Sequence, residues 1–440
     1  MSDSDWTTAN QRVLVAEFAR LRARLEEKGH DEAARNLEEV RSAVAMPTAI
    51  DLLTETFGLT AFERDTLLLC AGMTMDESFA QACMARAPRS SRIQPTFGLA
   101  LAVLADAHWS ALTPIGALRA MRLLRVHDEH ALTTCRISIE ERVLHYLAGV
   151  NYLDPALKSF VEPAEVELLA PSHAVVAEQA EDALRTGTST PLIQLIGDDA
   201  DGKVQVATRI AQNCGLRLRC LQVQDLPIGT DQLDDLASLW NRDSALLGSA
   251  LLLCIQEESE PRIAARFVKR LSGLTFVSSP IEFDLPRAAV FDVSRPGSLE
   301  QKRMWHQALG EPASSFSGAI DSIAGQFHLG SGDIARMARA LRGTAMTGTW
   351  AEDRLWQACR KMASAELNGL AQRVVPSASW SDLVLPPQQI ATLRQIAAQA
   401  RNRLHVHEAW GFGRKGGRGL GISVLFAGES GTGKTLAAEV

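Results

Sequence analysis

One stretch of the chain has the residue types and spacing of a phosphate cradle. Gly428-Glu429-Ser430-Gly431-Thr432-Gly433-Lys434-Thr435 fits the pattern Gly-x-x-x-x-Gly-Lys-[Ser/Thr]. Glycines let successive backbone N–H groups turn inward around phosphate oxygens. A helix that opens inside such a loop adds unpaired N–H groups and the positive end of its dipole. Lys434 is then placed for the β- and γ-phosphates of ATP, and the Thr435 hydroxyl for Mg²⁺. The chain has 31 glycines and eight lysines in 440 residues, so chance matches to the pattern number roughly 0.005. Gly428 through Leu436 is therefore read as an ATP-binding segment.

A second stretch keeps the frame and loses part of the chemistry. Gly197-Asp198-Asp199-Ala200-Asp201-Gly202-Lys203-Val204 has Gly197, Gly202 and Lys203 in register, but Val204 replaces the hydroxyl residue that would meet Mg²⁺. Asp198, Asp199 and Asp201 place three carboxylates where a triphosphate would lie, and like charges repel strongly in a partly desolvated site. The apolar run Leu251-Leu252-Leu253-Cys254-Ile255 then leads into Gln256-Glu257. Gln256 stands where an acid is needed for the metal, and Glu257 is a candidate surviving carboxylate. The reading is a degenerate nucleotide fold retained for structure, with weak binding without hydrolysis as the rival.

The elements around these loops follow from periodicity. Helices are expected at 11–28, 31–45, 48–57, 60–71, 76–86, 97–107, 114–121 and 139–147. Thr60-Ala61-Phe62-Glu63 has the form of a capping box. Extended pieces at Leu123–His127 and Ala131–Ile137 suggest a hairpin. Helices followed by a hairpin suit a winged-helix-like domain; a plain helical bundle is the alternative, and periodicity does not separate them. Prolines 155, 163 and 171 mark a boundary near residue 165. Strands at 191–196, 216–223, 250–255, 274–278 and 288–293 then alternate with helices at 203–213, 231–240 and 261–271. That alternation implies an α/β domain with a mainly parallel sheet. Helices return at 298–309 and 317–342 as a small lid. The expected division is 1–165 helical and winged-helix-like, 170–345 α/β (core 170–296, lid 297–345), 346–379 linker, and 380–440 a second module. That module should open with a helix at 387–404, a strand at Ile422–Ala427, and a helix from Lys434.

Composition narrows the class. The formal net charge is −7, with 46% hydrophobic and 22% charged residues, which argues against a protein that coats nucleic acid. The start is polar and acidic, unlike a secretory signal, and the longest apolar stretch, Phe97 to Trp109, is too short to span a bilayer. The seven cysteines lack Cys-x-x-Cys spacing, so free thiols in a reducing cytoplasm are expected. Arg401, Arg403, His405, His407, Arg414, Lys415 and Arg418 make the stretch before the intact loop basic. It serves either to attract nucleotide phosphate or a neighbouring subunit, or as a solvated linker.

Gly419 through Ala427, the loop, and Leu436 through Val440 resemble the opening of an AAA+ ATPase module. Trp380-Ser381-Asp382-Leu383-Val384-Leu385-Pro386 resembles the segment that precedes it, and Trp410 and Phe412 the part that flanks adenine. In the earlier domain, Phe291-Asp292-Val293-Ser294-Arg295-Pro296 resembles the last core strand and Gly332-Asp333-Ile334-Ala335 the lid helix. Together they are similar to tandem AAA+ ATPases with an N-terminal winged-helix-like domain, of the kind encoded with contractile injection (phage-tail-like) systems. The resemblance implies ATP and Mg²⁺ as ligands, self-association into a ring, and ATP-driven remodelling of a protein client. It also implies that the second module is cut short at Val440, without its metal-side aspartate, water-orienting glutamate, sensor and arginine finger. Rival readings are a scaffold that does not hydrolyse ATP and a winged-helix DNA regulator.

Overall fold

The computed structural model describes residues 3–86, 94–165, 167–186, 192–256, 261–310, 317–342, 349–366, 378–404, 406, 410 and 422–440. They form two compact units. One comprises residues 1–166, 176–197 and 206–292, the other 167–175, 198–205 and 293–440.

The first unit opens with helices α1 (Asp3–Glu26), α2 (His30–Ser42), α3 (Ala49–Phe57), α4 (Ala61–Met75), α5 (Glu77–Arg86), α6 (Phe97–Val103) and α7 (Ala117–Ala120). Leu14, Phe18, Leu21 and Leu25 recur along one face of α1 and share a core with Phe62, Leu67, Leu68, Leu69 and Phe79. The capping box forms as expected: Glu63 N donates to Thr60 Oγ1 at 3.2 Å and Thr60 N to Glu63 Oε2 at 2.9 Å. The hairpin pairs β1 (Leu124–Val126) with β2 (Ile137–Ile139), antiparallel, Leu124 opposite Ile139. The second strand lies later than the expected Ala131–Ile137. Asp128 Oδ1 accepts from His130 N at 3.0 Å and caps a 3₁₀ turn over Glu129–Ala131, which uses those residues in the bend. Helix α8 (Glu141–Leu147) follows.

Glu17 on α1 is buried, and its carboxylate accepts from Arg20 Nε at 2.9 Å, from Arg41 Nη2 at 2.8 Å and from Arg64. Burial pushes its pKa up, but Arg64, Arg20 and Arg41 outweigh that and hold it below the usual 4.5. A depressed carboxylate contributes stability that is complete above its unfolded value and lost as pH falls through its folded value. Acid unfolding of the wild type should therefore steepen below pH 4.5 relative to Glu17→Gln, with that variant less stable at pH 7 by about 3 kcal/mol or more. Parallel pH profiles in chemical denaturation would refute this.

The same unit holds the sheet: β3 (Val161–Pro163), β4 (Leu192–Ile196), β5 (Arg217–Gln222), β6 (Ser249–Cys254), β7 (Thr275–Ser278) and β8 (Ala289–Asp292), in the order β3-β5-β6-β7-β4-β8. All pairs are parallel except β3 with β5. Strand β3 was not among those expected; it is short and ends in Pro163, as an edge strand tolerates. Helices α9 (Pro171–Thr186), α10 (Ala200–Asn213), α11 (Thr230–Leu247) and α12 (Pro261–Val268) connect the strands. Strand β6 is buried from Ser249 through Leu253, as a strand covered on both faces must be. Strand β4 lies between β7 and β8, so the chain order switches sides beside it. The loop after β4 thus leaves the sheet at the place where open α/β sheets receive ligands.

A buried charge cluster joins α8 to α11. Asp243, fully buried, accepts from Arg242 Nε at 2.9 Å and from Asp154 N at 2.6 Å, and faces Arg142 Nε at 3.5 Å. Arg242 Nη1 donates to the Arg122 carbonyl at 3.1 Å, and Asn151 Nδ2 to the Leu246 carbonyl at 2.9 Å.

The second unit is mainly helical: α13 (Ser298–Leu309), α14 (Ser317–Gln326), α15 (Ser331–Arg342), α16 (Thr349–Glu366), α17 (Pro387–Leu404) and α18 (Lys434–Glu439). The single helical run expected over 317–342 is two helices, broken before Gly330-Ser331. Within the stretch read as a linker, α16 is a helix whose Leu355 and Cys359 are buried with Trp305, Ile323, Ile334 and Met337. Residues 422–427 are not a strand, contrary to expectation: among the described residues nothing pairs with them. A strand requires a hydrogen-bonded neighbour, and Leu425 stays 90% exposed.

Candidate functional site

The intact loop is built by glycine. Gly428, Gly431 and Gly433 have φ of +154°, +83° and +80°, conformations that side chains with a Cβ resist. Thr432 Oγ1 donates to the Glu429 carbonyl at 2.8 Å and tightens the turn. Helix α18 then begins at Lys434, with Gly433 at its cap. The Lys434 ammonium folds back over the loop, donating to the carbonyls of Gly428 at 2.9 Å and Glu429 at 2.6 Å. Glu429, Ser430, Gly431, Thr432, Gly433 and Thr435 are exposed, and Leu436 is 37% exposed. A cavity of about 430 Å³ lies alongside, lined by Leu385, Gln389 and Leu393 together with Phe426, Gly428 and Lys434. The residues present fit a polyphosphate: a glycine turn, a lysine at its centre, and a hydroxyl at the next position for a cation.

The Gly197–Val204 loop has a different shape. Its helix, α10, begins at Ala200, three positions ahead of Lys203, so the middle of the loop is helical. The cause is local. Ala200 stands where the intact loop has Gly431, and alanine resists positive φ. Asp199 caps the new helix, its Oδ1 accepting from Gly202 N at 2.8 Å. The same carboxylate accepts from Ser331 N, the start of α15, at 3.1 Å. Asp201 pairs with Arg336 at 2.9 Å, and Asp198 accepts from Arg295 N at 2.9 Å. Lys203 is buried. The three carboxylates read from sequence as repelling a triphosphate are thus held by groups of their own unit. His173, Ser331 and Gly332, which sequence reasoning did not single out for this loop, close around it. The sequence signals were present: an aspartate three positions before Gly202, and alanine in place of the middle glycine.

Gln256 is exposed just after β6; Glu257 lies outside the described residues. So do His405, His407, Phe412, Arg414, Lys415 and Arg418 of the basic stretch, while Trp410 is 64% exposed. The cysteines are free, with Cys70, Cys83 and Cys359 buried and Cys214 exposed. Among the described residues no group of three or more His, Cys, Asp or Glu is placed to hold a metal ion, and no helix is long and apolar enough to cross a membrane.

Fold and loops define an α/β chain with a winged-helix N-terminal region, one glycine-built loop and one helical counterpart. Comparison with known families places two parts more closely. Residues 2–161 match the winged helix domain, variant, and residues 297–365 match the contractile injection system ATPase helical domain. The second match runs through α13–α16, the helices that share the Trp305 core. The chain is therefore similar, in its helical unit, to ATPases of contractile injection systems. No curated protein matches it. Among solved structures, the crystal structure of the FIGL-1 AAA domain in complex with ADP is similar at 10% identity and a TM-score of 0.34, covering 50% of this chain and 97% of that one.

Proposed function

We propose that the chain binds ATP with Mg²⁺ through Gly428–Leu436 as part of an AAA+ ATPase that works as a cytoplasmic ring on a protein client in a contractile injection system. The observation that carries this is the intact loop: three glycines at positive φ, with the Lys434 ammonium gathered at their centre. In this reading the loop N–H groups and Lys434 hold the β- and γ-phosphates, and Thr435 supplies a hydroxyl to the metal. Bound Mg²⁺ would neutralise charge on the phosphate oxygens. The matches to the injection-system helical domain and the winged helix support the assignment of class.

The winged-helix domain is read as binding protein rather than duplex DNA. Of the arginines just before and within its hairpin, Arg119 donates to the Leu112 carbonyl at 3.0 Å, Arg122 pairs with Asp235 and Arg125 pairs with Glu140 at 3.0 Å, while Arg136 is exposed. A phosphate-reading surface needs such charges turned toward solvent.

The test is a titration of a fluorescent ATP analogue into the full chain and into Lys434→Ala. A charge-assisted contact is worth about 1.5–3 kcal/mol, so the variant should bind more weakly by roughly tenfold to a hundredfold. Equal affinities would sink the assignment.

A further inference from the structure

The Gly197–Val204 loop has the frame of a phosphate cradle and is filled by its own side chains. We propose that Asp199 is a built-in anion, holding the loop and the lid helix α15 in one closed arrangement that nucleotide neither forms nor enters.

Two helix starts converge on this carboxylate. Gly202 N, in the first turn of α10, donates to Oδ1 at 2.8 Å, and Ser331 N, the first residue of α15, donates to Oδ2 at 3.1 Å. Both helices exceed eight residues. Each offers unpaired N–H groups and a positive dipole end, the combination that otherwise attracts a phosphate. Asp199 is 2% exposed, so solvent does not screen the arrangement.

Packing excludes a larger anion. A Cβ on Gly202 would lie 2.5 Å from His173 Cε1 and 2.7 Å from Asp199 Oδ2. One on Gly330 would lie 2.7 Å from Asp199 Oδ1, and one on Gly332 1.9 Å from Asp201 Oδ2. A contact that cannot admit a methyl group cannot admit a phosphoryl group. Glycine at these three positions is what lets loop and lid touch. The ion pair of Asp201 with Arg336 at 2.9 Å and the bond from Arg295 N to Asp198 at 2.9 Å add further ties across the same contact.

Two buried side chains close the space around this carboxylate. His173 Nε2 donates to the Ser294 carbonyl at 2.8 Å and lies 4.0 Å from Asp199 Oδ2, while its Nδ1 is buried without a partner. Ser331 Oγ is also buried without a partner. Buried polar atoms are normally satisfied.

The test is hydrogen exchange on the full chain carrying Lys434→Ala, which removes the intact loop from the readout. With Asp199 in place, millimolar Mg-ATP should leave exchange at 198–204 and 330–334 unchanged. Adding Asp199→Ala should speed exchange at Gly202 and Ser331 at least about tenfold, since two charge-assisted bonds are lost. Formate, which restores the missing carboxylate, should slow it again. Asp199→Asn, which keeps an acceptor and loses the charge, should fall between and serves if the alanine variant does not fold. Protection of these segments by ATP with Asp199 present would overturn the proposal, as would unchanged exchange in both variants or faster exchange that formate does not reverse. None of these outcomes bears on nucleotide at Lys434.

Discussion

Asp243→Ala should destabilise the first unit by about 3–5 kcal/mol, the cost of breaking a buried ion pair from one side. Asp243 is the acceptor on which Arg242, the Asp154 amide and Arg142 converge. Without it Arg142 retains Asn151 Oδ1 and Arg242 the Asp154 carboxylate; burial already lowers the pKa of Arg142, and the charge of Arg242 lowers it further while Asp243 opposes. The loss should be selective in its consequence. Arg142 lies on α8 of the winged-helix region and Asp243 on α11 of the sheet region, so the variant should expose the connection near residue 154 to protease before either part unfolds. Asp243→Asn retains an acceptor and should lose less. Chemical denaturation and limited proteolysis together check this. A change within about 1 kcal/mol for the alanine variant would mean the cluster does not hold the two regions together.

Trp305→Ala should cost a similar amount, about 3–5 kcal/mol, and the loss should be confined to the helical unit. Trp305 is fully buried on α13 among Ile320, Ile323, Ile334, Met337, Leu355 and Cys359. Removing the indole leaves a cavity between helices that cannot close without repacking. The indole N–H itself is buried without a partner among the described residues, so it is the volume of the ring that the core relies on. Trp305→Phe should therefore be much milder than Trp305→Ala. Denaturation followed by exchange at α13–α16 separates the two; equal losses would show that the cost is not set by volume.

The sequence made much of this organisation legible, and for physical reasons. Helices α13 and α17 fall on the expected 298–309 and 387–404, because strong apolar periodicity runs between clear starts and stops. The sheet strands were found within a residue or two, since short apolar runs between helices leave few alternatives. Elements set by partners were less visible. Strand β3 is three residues long and exists only because β5 pairs with it. Residues 422–427 have strand composition but no neighbour among the described residues. In the Gly197 loop, the motif frame makes Gly197, Gly202 and Lys203 visible and Asp199 visible as a charge, but not Ala200 and Asp199 as the alanine and helix cap that together turn the loop into a helix. Sequence shows the carboxylates as charges that repel nucleotide; the contacts of Asp199 and Asp201 with α15 add a steric effect that only the three-dimensional arrangement reveals.

The folded-back lysine of the intact loop has a thermodynamic side. Lys434 already donates to the carbonyls of Gly428 and Glu429. On the proposed reading, an arriving phosphate would not meet a freely rotating ammonium; it would displace those carbonyls. Binding is then an exchange of partners, in which the gain is the difference between a phosphate oxygen and a peptide oxygen. In return the side chain has already given up most of its rotamer freedom, so little ordering entropy remains to be lost on association. On that reading the loop would act as a placeholder for its ligand, keeping its cation aligned at the cost of some net affinity.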